Sequence, residues 1–130
     1  MKKVFLGGTC NGSLWRNEFI KSLEISSYNP VVANWTPECM EKEIKERETC
    51  DFCLYTITPK MTGVYSIAEV VDDSNKRPEK TVLVILDTDG VIKFEGHQLK
   101  SLKSVASMVE KNGSKVFTTL NEAAEYMNNN

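Results

Sequence analysis

The most constraining feature of the sequence is the run TVLVIL at residues 81–86, in which five apolar residues follow Thr81 without a break. A strand that is apolar at every position has no side for water, so both faces of its sheet must be covered. The rest of the chain supplies that cover, because segments of strand character alternate with helical patterns. This alternation is typical of right-handed crossovers around a parallel sheet. We therefore predict an α/β fold: one domain over residues 1–130, a three-layer α/β/α sandwich of flavodoxin-like or Rossmann-like type, with a five-stranded parallel sheet.

Four other segments complete the predicted sheet. They are residues 3–8 (KVFLGG), 28–33 (YNPVVA), 51–58 (DFCLYTIT) and 115–119 (KVFTT). The second of these is expected at an edge, because Pro30 interrupts it and cannot donate a ladder hydrogen bond. The segment VIKF, after the DTDG turn, fits either a short extra strand or a loop.

Five helices are predicted to alternate with these strands. Ser13 is a good N-cap for the first helix. Its apolar residues fall roughly on one face: Leu14, Phe19, Ile20 and Leu23. Thr36 as N-cap and Pro37 at the first helical position begin the second helix. The third starts within MTGVYSIAEVV, and the fifth is LNEAAEYM. The fourth begins near His97, which we interpret as a helix-start residue rather than a catalytic one.

Charge and hydropathy exclude several classes of partner. Sixteen basic residues against eighteen acidic ones leave a net charge of -2, so no global field favours polymeric nucleic acid or an anionic membrane. The opening MKKVFLGGTC is too short in apolar residues for a signal-peptide core, and no apolar run approaches membrane length. We therefore expect a cytoplasmic protein whose partner is a small molecule.

The four cysteines are irregularly placed, at positions 10, 39, 50 and 53, and do not suggest a disulfide framework. Cys50 and Cys53 have the C-x-x-C spacing of redox and zinc sites. The motif enters a strand, however, where alternation predicts that the two thiols point to opposite faces. With one histidine in the chain, we predict no metal and no cofactor.

Ligands of open α/β sheets bind beyond the carboxyl ends of the strands, which selects the loops at residues 7–13, 33–37 and 58–63. The first loop, GGTCNGS, brings small residues to a helix start, where free N–H groups favour anions. It lacks the third glycine of a dinucleotide fingerprint and the G-K-[ST] of a P-loop. We predict that it binds a substrate through the residues Gly7, Gly8, Thr9 and Asn11, the alternative being a tight turn. Arg16 fits either a phosphate contact or a surface ion pair.

The other two loops add an aromatic residue and a carboxylate. Trp35, between a strand end and a helix N-cap, is a candidate stacking surface for a flat ring or a packing residue. Thr58 opens the third loop and is a further candidate substrate contact. Helical spacing predicts a buried stripe in the following helix: Val64, Ile67, Ala68 and Val71. Glu69 falls off that stripe beside Tyr65, so periodicity alone is compatible with a solvated carboxylate.

Several quoted segments together resemble the nucleoside 2-deoxyribosyltransferase-like proteins, in particular a small bacterial and bacteriophage branch. They are VFLGGTCNGSLWR, YNPVVANWTPE, CDFCLYTITPKMTGVYSIAEVVDDSNKRP and TVLVIL. The resemblance covers most of residues 3–86 and is weaker through HQLKSLKSVASMVEKNGSKVF. It implies that Glu69, in GVYSIAE, is the nucleophile that attacks the sugar C1′ and expels the base. A position near a helix N-terminus would help to keep this carboxylate ionised.

The resemblance also implies a role for Glu43 in proton transfer at the base, with a neighbouring glutamate of EKEIKERE as the alternative. From their places at the predicted ligand edge, Trp35 is expected to flank the base and Tyr65 to contact the substrate. Family members are usually homo-oligomers, so self-association is expected. Asp51 resembles a common family aspartate, and we expect a structural role for it. Two positions depart from the pattern: Gly63 stands where an aspartate is often found, and Phe5 where a tyrosine is common.

The sequence therefore predicts an enzyme that cleaves the base–sugar bond of a nucleoside or nucleotide by transfer or hydrolysis. The alternative is a non-catalytic nucleotide-binding or sequestering protein on the same scaffold.

Overall fold

The structure is a computed structural model and describes residues 1–10 and 12–130. Within them, the main sheet consists of strands β1 (Lys3–Gly8), β2 (Ser26–Tyr28), β3 (Phe52–Ile57), β4 (Thr81–Ile85) and β7 (Lys115–Phe117). A two-stranded hairpin is formed by β5 (Thr88–Asp89) and β6 (Ile92–Lys93). The helices are α1 (Trp15–Lys21), α2 (Pro37–Thr49), α3 (Tyr65–Lys76), α4 (Gly96–Lys111) and α5 (Leu120–Asn129), with a 3₁₀ turn at Pro78–Lys80.

The predicted α/β fold is confirmed. The strands of the main sheet run parallel in the order β2-β1-β3-β4-β7. The apolar run of β4 divides between two cores, because successive side chains point to opposite faces. Val82 and Val84 pack in one core with residues of α1 and α5, whereas Leu83 packs in the other with residues of α3 and α4. Helices on both faces are therefore what an all-apolar central strand requires.

The second strand is at the sheet edge, as predicted, but its position in the sequence was wrong. It covers Ser26–Tyr28, which pair with Lys3–Phe5 of β1, and not residues 28–33. Pro30 lies beyond the strand, in a segment that leaves the sheet and reaches the carboxyl edge. Pro30 therefore follows the strand and does not interrupt it.

The start of the first helix also differs from the prediction. Leu14 occupies the N-cap position without a side-chain hydrogen bond, and it is 67% exposed. Ser13 instead donates its hydroxyl hydrogen to Asp89 Oδ2 at 2.5 Å. Ile20 is 38% exposed, and Trp15 and Phe19 form the buried face. The second helix begins as predicted, with Thr36 at the N-cap position and Pro37 at the first helical position.

The segment after β4 forms the extra strand that was one of two alternatives, since Ile92–Lys93 pairs with Thr88–Asp89 in an antiparallel hairpin. His97 is the second residue of α4, and its N–H donates to Glu95 Oε1 at 2.8 Å, which agrees with a helix-start role. Among the described residues, no helix is both long enough and apolar enough to span a membrane.

Cys50 and Cys53 do not point to opposite faces. Cys50 caps the C-terminal end of α2 before the strand begins, so strand alternation does not apply to it. Both thiols pack in the core beneath α3 and α4, and burial raises each thiol pKa to about 12. The four cysteines are free, and within residues 1–10 and 12–130 no group of three or more metal-ligating side chains comes together.

Candidate functional site

A cavity of about 440 Å³ opens at the carboxyl edge of the sheet, within the size range of small-molecule sites. Eight of the residues predicted for the site line this one cavity: Gly7, Gly8, Thr9, Arg16, Trp35, Glu43, Tyr65 and Glu69. Asn11 lies outside the described residues. Thr58 does not line the cavity. The cavity wall therefore combines the end of β1 with α1, α2 and the start of α3.

The glycines at the end of β1 are required by the sheet itself. Gly8 has a φ of 112°, and a Cβ there would lie 2.1 Å from the carbonyl oxygen of Thr56. A Cβ on Gly7 would lie 2.6 Å from the ring of Tyr55. Such distances are incompatible with any side chain, so crowding by β3 accounts for both glycines. Because Gly7 and Gly8 have no side chains, backbone atoms form the cavity wall at this point.

Thr9 and Thr58 join the loops after β1 and β3. The Thr58 N–H donates to Thr9 Oγ1, and the Thr9 N–H donates to the Thr56 carbonyl, both at 2.9 Å. The Thr58 hydroxyl donates to Asp89 Oδ2 at 2.7 Å, which directs it away from a ligand. Asp89 therefore ties the hairpin to both loops, through Thr58 and Ser13. The sequence marked Asp89 only as part of a turn.

Arg16 is buried, so the surface ion pair is excluded. Its Nε donates to the Leu6 carbonyl at 3.0 Å, and Nη1 and Nη2 donate to the Thr9 and Gly8 carbonyls at 2.7 and 3.2 Å. The guanidinium also lies 4.5 Å from the centre of the Trp15 ring. Burial lowers the Arg16 pKa to about 10. The primary contacts of this side chain hold the first loop in shape.

Trp35 and Glu43 form the opposite wall. Trp35 is 53% exposed, and it continues an apolar rim that includes Val31, Val32 and Met40. An indole this exposed at a cavity mouth is compatible with stacking on a flat ring. Burial raises the pKa of Glu43, although the Trp35 indole and the Arg47 guanidinium both act to lower it.

Glu69 projects from the first turns of α3, and its side chain is only 15% exposed. The buried stripe predicted for this helix was partly wrong. Val64 precedes the helix and is 69% exposed, and Ala68 is also exposed. The fully buried positions are Val70, Asp73 and Ser74. Asp73 and Ser74 are polar, which hydrophobic periodicity could not detect.

The charged partner of Glu69 comes from a different helix. Arg47 of α2 places its Nη1 at 3.7 Å from Glu69 Oε2. Burial nevertheless raises the pKa of Glu69 to about 7; Arg47 opposes this change, while the negative charges of Glu43 and Asp73 reinforce it. That the helix N-terminus helps to keep Glu69 ionised stays a prediction, and burial acts in the opposite direction.

A family model described as nucleoside 2-deoxyribosyltransferase like matches residues 1–88. The chain belongs to the nucleoside 2-deoxyribosyltransferase-like family. The resemblance inferred from the sequence segments is thereby confirmed. The matched part runs from β1 through β4 and contains every predicted site residue. Neither a curated protein nor a solved structure gave a significant match.

The positions that depart from the family pattern also lie at the cavity. Gly63 lines it, and nothing lies within 4 Å of the place that a Cβ would occupy. Phe5 forms part of the floor and stacks on Tyr28, with ring centres 5.9 Å apart. Asp51 lies elsewhere, where its Oδ2 accepts a hydrogen bond from the Lys3 N–H at 2.9 Å. That bond links β1 to the start of β3, in agreement with a structural role.

Proposed function

We propose that this protein breaks the base–sugar bond of a deoxynucleoside, nucleoside or nucleotide, by transfer or hydrolysis, with Glu69 as the nucleophile. The observation that carries the proposal is the meeting of two glutamates, Glu69 and Glu43, in the wall of one cavity at the carboxyl edge of the sheet. Membership of a nucleoside 2-deoxyribosyltransferase-like family supports the same chemistry.

In the first step, the ionised Glu69 carboxylate attacks the sugar C1′ while the bond from C1′ to the base nitrogen breaks. The base leaves with the bonding electron pair, and a covalent ester joins the sugar to Glu69. In the second step, another base or a water molecule attacks C1′ and releases the carboxylate. A carboxylate is suited to this work because it is negatively charged and can capture an oxocarbenium-like carbon.

Glu43 assists by supplying a proton to the departing base. Burial raises the pKa of Glu43, which is the direction that a general acid needs. Burial also raises the pKa of Glu69, and the Arg47 guanidinium is the group that favours the ionised form required for attack. The negative charge of Glu43 acts in the opposite direction on Glu69, because like charges repel.

The remaining walls are proposed to bind the ends of the substrate. The exposed side chain of Trp35 flanks the base, with Tyr65 near the sugar. The loop after β1 holds the sugar or a phosphate through its backbone N–H groups. Self-association of the protein is also proposed, because the apolar rim around Trp35 is exposed in the single chain. Light scattering tests that part, and a strict monomer would refute it.

The function is tested by incubating the protein with a panel of nucleosides and nucleoside monophosphates and measuring free base by chromatography. The wild type is expected to release base from at least one compound, and Glu69→Gln to release none. Glu41→Gln is a matched control, because Glu41 is exposed on the same helix as Glu43. Failure of the wild type to release base from any compound would refute the enzymatic proposal.

The second candidate function is binding without turnover. It is favoured by Gly63, where the cavity has open space at a position at which related proteins often carry an aspartate. A thermal-shift screen with the same panel separates the two functions, since any ligand that binds the folded state raises Tm. Stabilisation without base release indicates sequestration, and stabilisation with base release indicates catalysis.

A further inference from the structure

A buried network of charged side chains lies directly behind Glu69. At its centre is Asp73, whose side chain is fully buried. Asp73 accepts hydrogen bonds from Arg47 Nε at 3.2 Å and Nη2 at 2.8 Å, and from the Tyr55 hydroxyl. Arg77 forms a further ion pair with the same carboxylate. Asp73 therefore accepts hydrogen bonds on both of its carboxylate oxygens.

This network fixes the orientation of Arg47. The two bonds from Arg47 to Asp73 form a planar fork, which a flexible ammonium group cannot reproduce. Asp72 Oδ2 accepts a further bond from Nη2 at 3.2 Å. With Nε and Nη2 occupied, Nη1 is the nitrogen that remains directed at Glu69, 3.7 Å from Oε2.

The contact between Arg47 and Glu69 is too long for a hydrogen bond but short enough for strong electrostatic attraction. It thus stabilises negative charge on Glu69 without occupying a carboxylate lone pair. A nucleophile benefits from this combination, because its electrons stay available to attack a carbon atom. We propose that Arg47 is a positioning residue, held by Asp73, that keeps the Glu69 carboxylate charged and oriented at the wall of the cavity.

This inference rests on the proposed function of Glu69, but the effect of Arg47 on the pKa of Glu69 can be measured without turnover. The charged groups that act on Glu69 are Arg47 and Glu43 from α2 and Asp73 from the next turn of α3. Among the described residues, the other ionisable side chains of the cavity wall are those of Cys10, Arg16 and Tyr65. Of all these groups, Arg47 is the one whose positive charge is identified as lowering the pKa of Glu69.

The test compares Arg47→Met with Arg77→Met. Both variants remove an ion pair with Asp73, but Arg77 makes no ion pair with Glu69, so it controls for general loss of stability. The pKa of Glu69 is measured by carbon-13 NMR of labelled glutamate carboxyls, with Glu69→Gln used to assign the signal. An opposite charge at this distance lowers a carboxyl pKa by about one to three pH units. Arg47→Met is therefore expected to raise the pKa of Glu69 by at least about one unit, and Arg77→Met to leave it nearly unchanged.

Activity gives the second readout. The acid limb of the pH–rate profile should move upward with the pKa of Glu69, so Arg47→Met loses about fivefold in kcat at pH 7 and recovers at high pH. If Arg47→Met does not fold, Arg47→Lys replaces it, and a smaller upward change is expected because the fork is lost.

An unchanged Glu69 pKa in a folded Arg47 variant, or an equal change in Arg77→Met, would overturn the inference. A wild type without turnover but with the expected NMR result would refute the proposed function alone.

Discussion

Replacing Glu69 with glutamine is predicted to stabilise the folded protein above neutral pH. Burial raises the pKa of this carboxyl to about 7 from an ordinary value of 4.5. The folded state therefore holds the proton more tightly than the unfolded chain does, and stability falls as pH rises between those two values. At about 1.4 kcal/mol for each pH unit, the ionised carboxylate costs roughly 3 kcal/mol at high pH. Glutamine has nearly the same shape and no charge, so it avoids this cost.

The assay is urea unfolding of the wild type, Glu69→Gln and Glu41→Gln from about pH 5 to about pH 8.5, where the contribution of Glu69 changes most. The free energy of unfolding of Glu69→Gln, taken relative to the wild type, is expected to rise by about 2 to 3 kcal/mol from the lowest to the highest pH. The corresponding difference for the exposed Glu41→Gln control is expected to stay nearly constant. A pH-independent difference for Glu69→Gln, or a variant less stable than the wild type at pH 8.5, would refute the reasoning. Either result would mean that the carboxylate is solvated or better paired than its surroundings indicate.

Three further predictions concern other parts of the cavity. Gly8→Ala should lower the free energy of unfolding by more than about 3 kcal/mol or prevent folding, because its Cβ would meet the Thr56 carbonyl. Gly63→Ala is the control, since its Cβ meets nothing within 4 Å. Denaturant unfolding measures both, and equal stabilities would contradict the crowding argument. Trp35→Ala should change stability by less than about 1 kcal/mol, because the side chain is 53% exposed, yet weaken nucleoside binding about tenfold. Calorimetric titration measures that affinity, and an unchanged value would exclude stacking. Gly63→Asp should fold normally and raise base release, measured by chromatography; an unchanged rate would mean that the missing aspartate does not limit turnover.

The architecture could be predicted because its signals are local and repeated. Successive apolar residues from Val82 onward in β4 require cover on two faces, and the structure divides Val82 and Leu83 between two cores accordingly. The lining of the cavity followed from a topological rule, since the carboxyl ends of parallel strands share one edge of the sheet. Neither inference needed any knowledge of how distant residues pair.

The errors arose where tertiary contacts decide local structure. Ser13 has the chemistry of an N-cap, but its hydroxyl is taken by Asp89 from the hairpin, so the helix starts later. Cys50 follows strand spacing in the sequence, yet it lies at a helix end before the strand starts. In the first case the residue binds a partner from a distant part of the chain, and in the second it belongs to a different element of secondary structure. A single sequence reveals neither.

The surroundings of Glu69 were the least predictable part of the site. Its partner Arg47 belongs to another helix, and it reaches Glu69 because the last turn of α2 places its side chain there. Asp73 occupies a buried position that periodicity reserves for an apolar residue, and it is tolerated there because Arg47, Arg77 and Tyr55 satisfy it. A buried polar residue with partners on other elements leaves no local pattern.

The most direct test of the central claim is to locate the covalent sugar intermediate. The wild type is incubated with a substrate from the panel, quenched in acid and digested, and the peptides are analysed by mass spectrometry. The proposed mechanism predicts a sugar adduct on Glu69 in the wild type and none in Glu69→Gln. Base release with an adduct on a different residue, or base release that persists in Glu69→Gln, would contradict it.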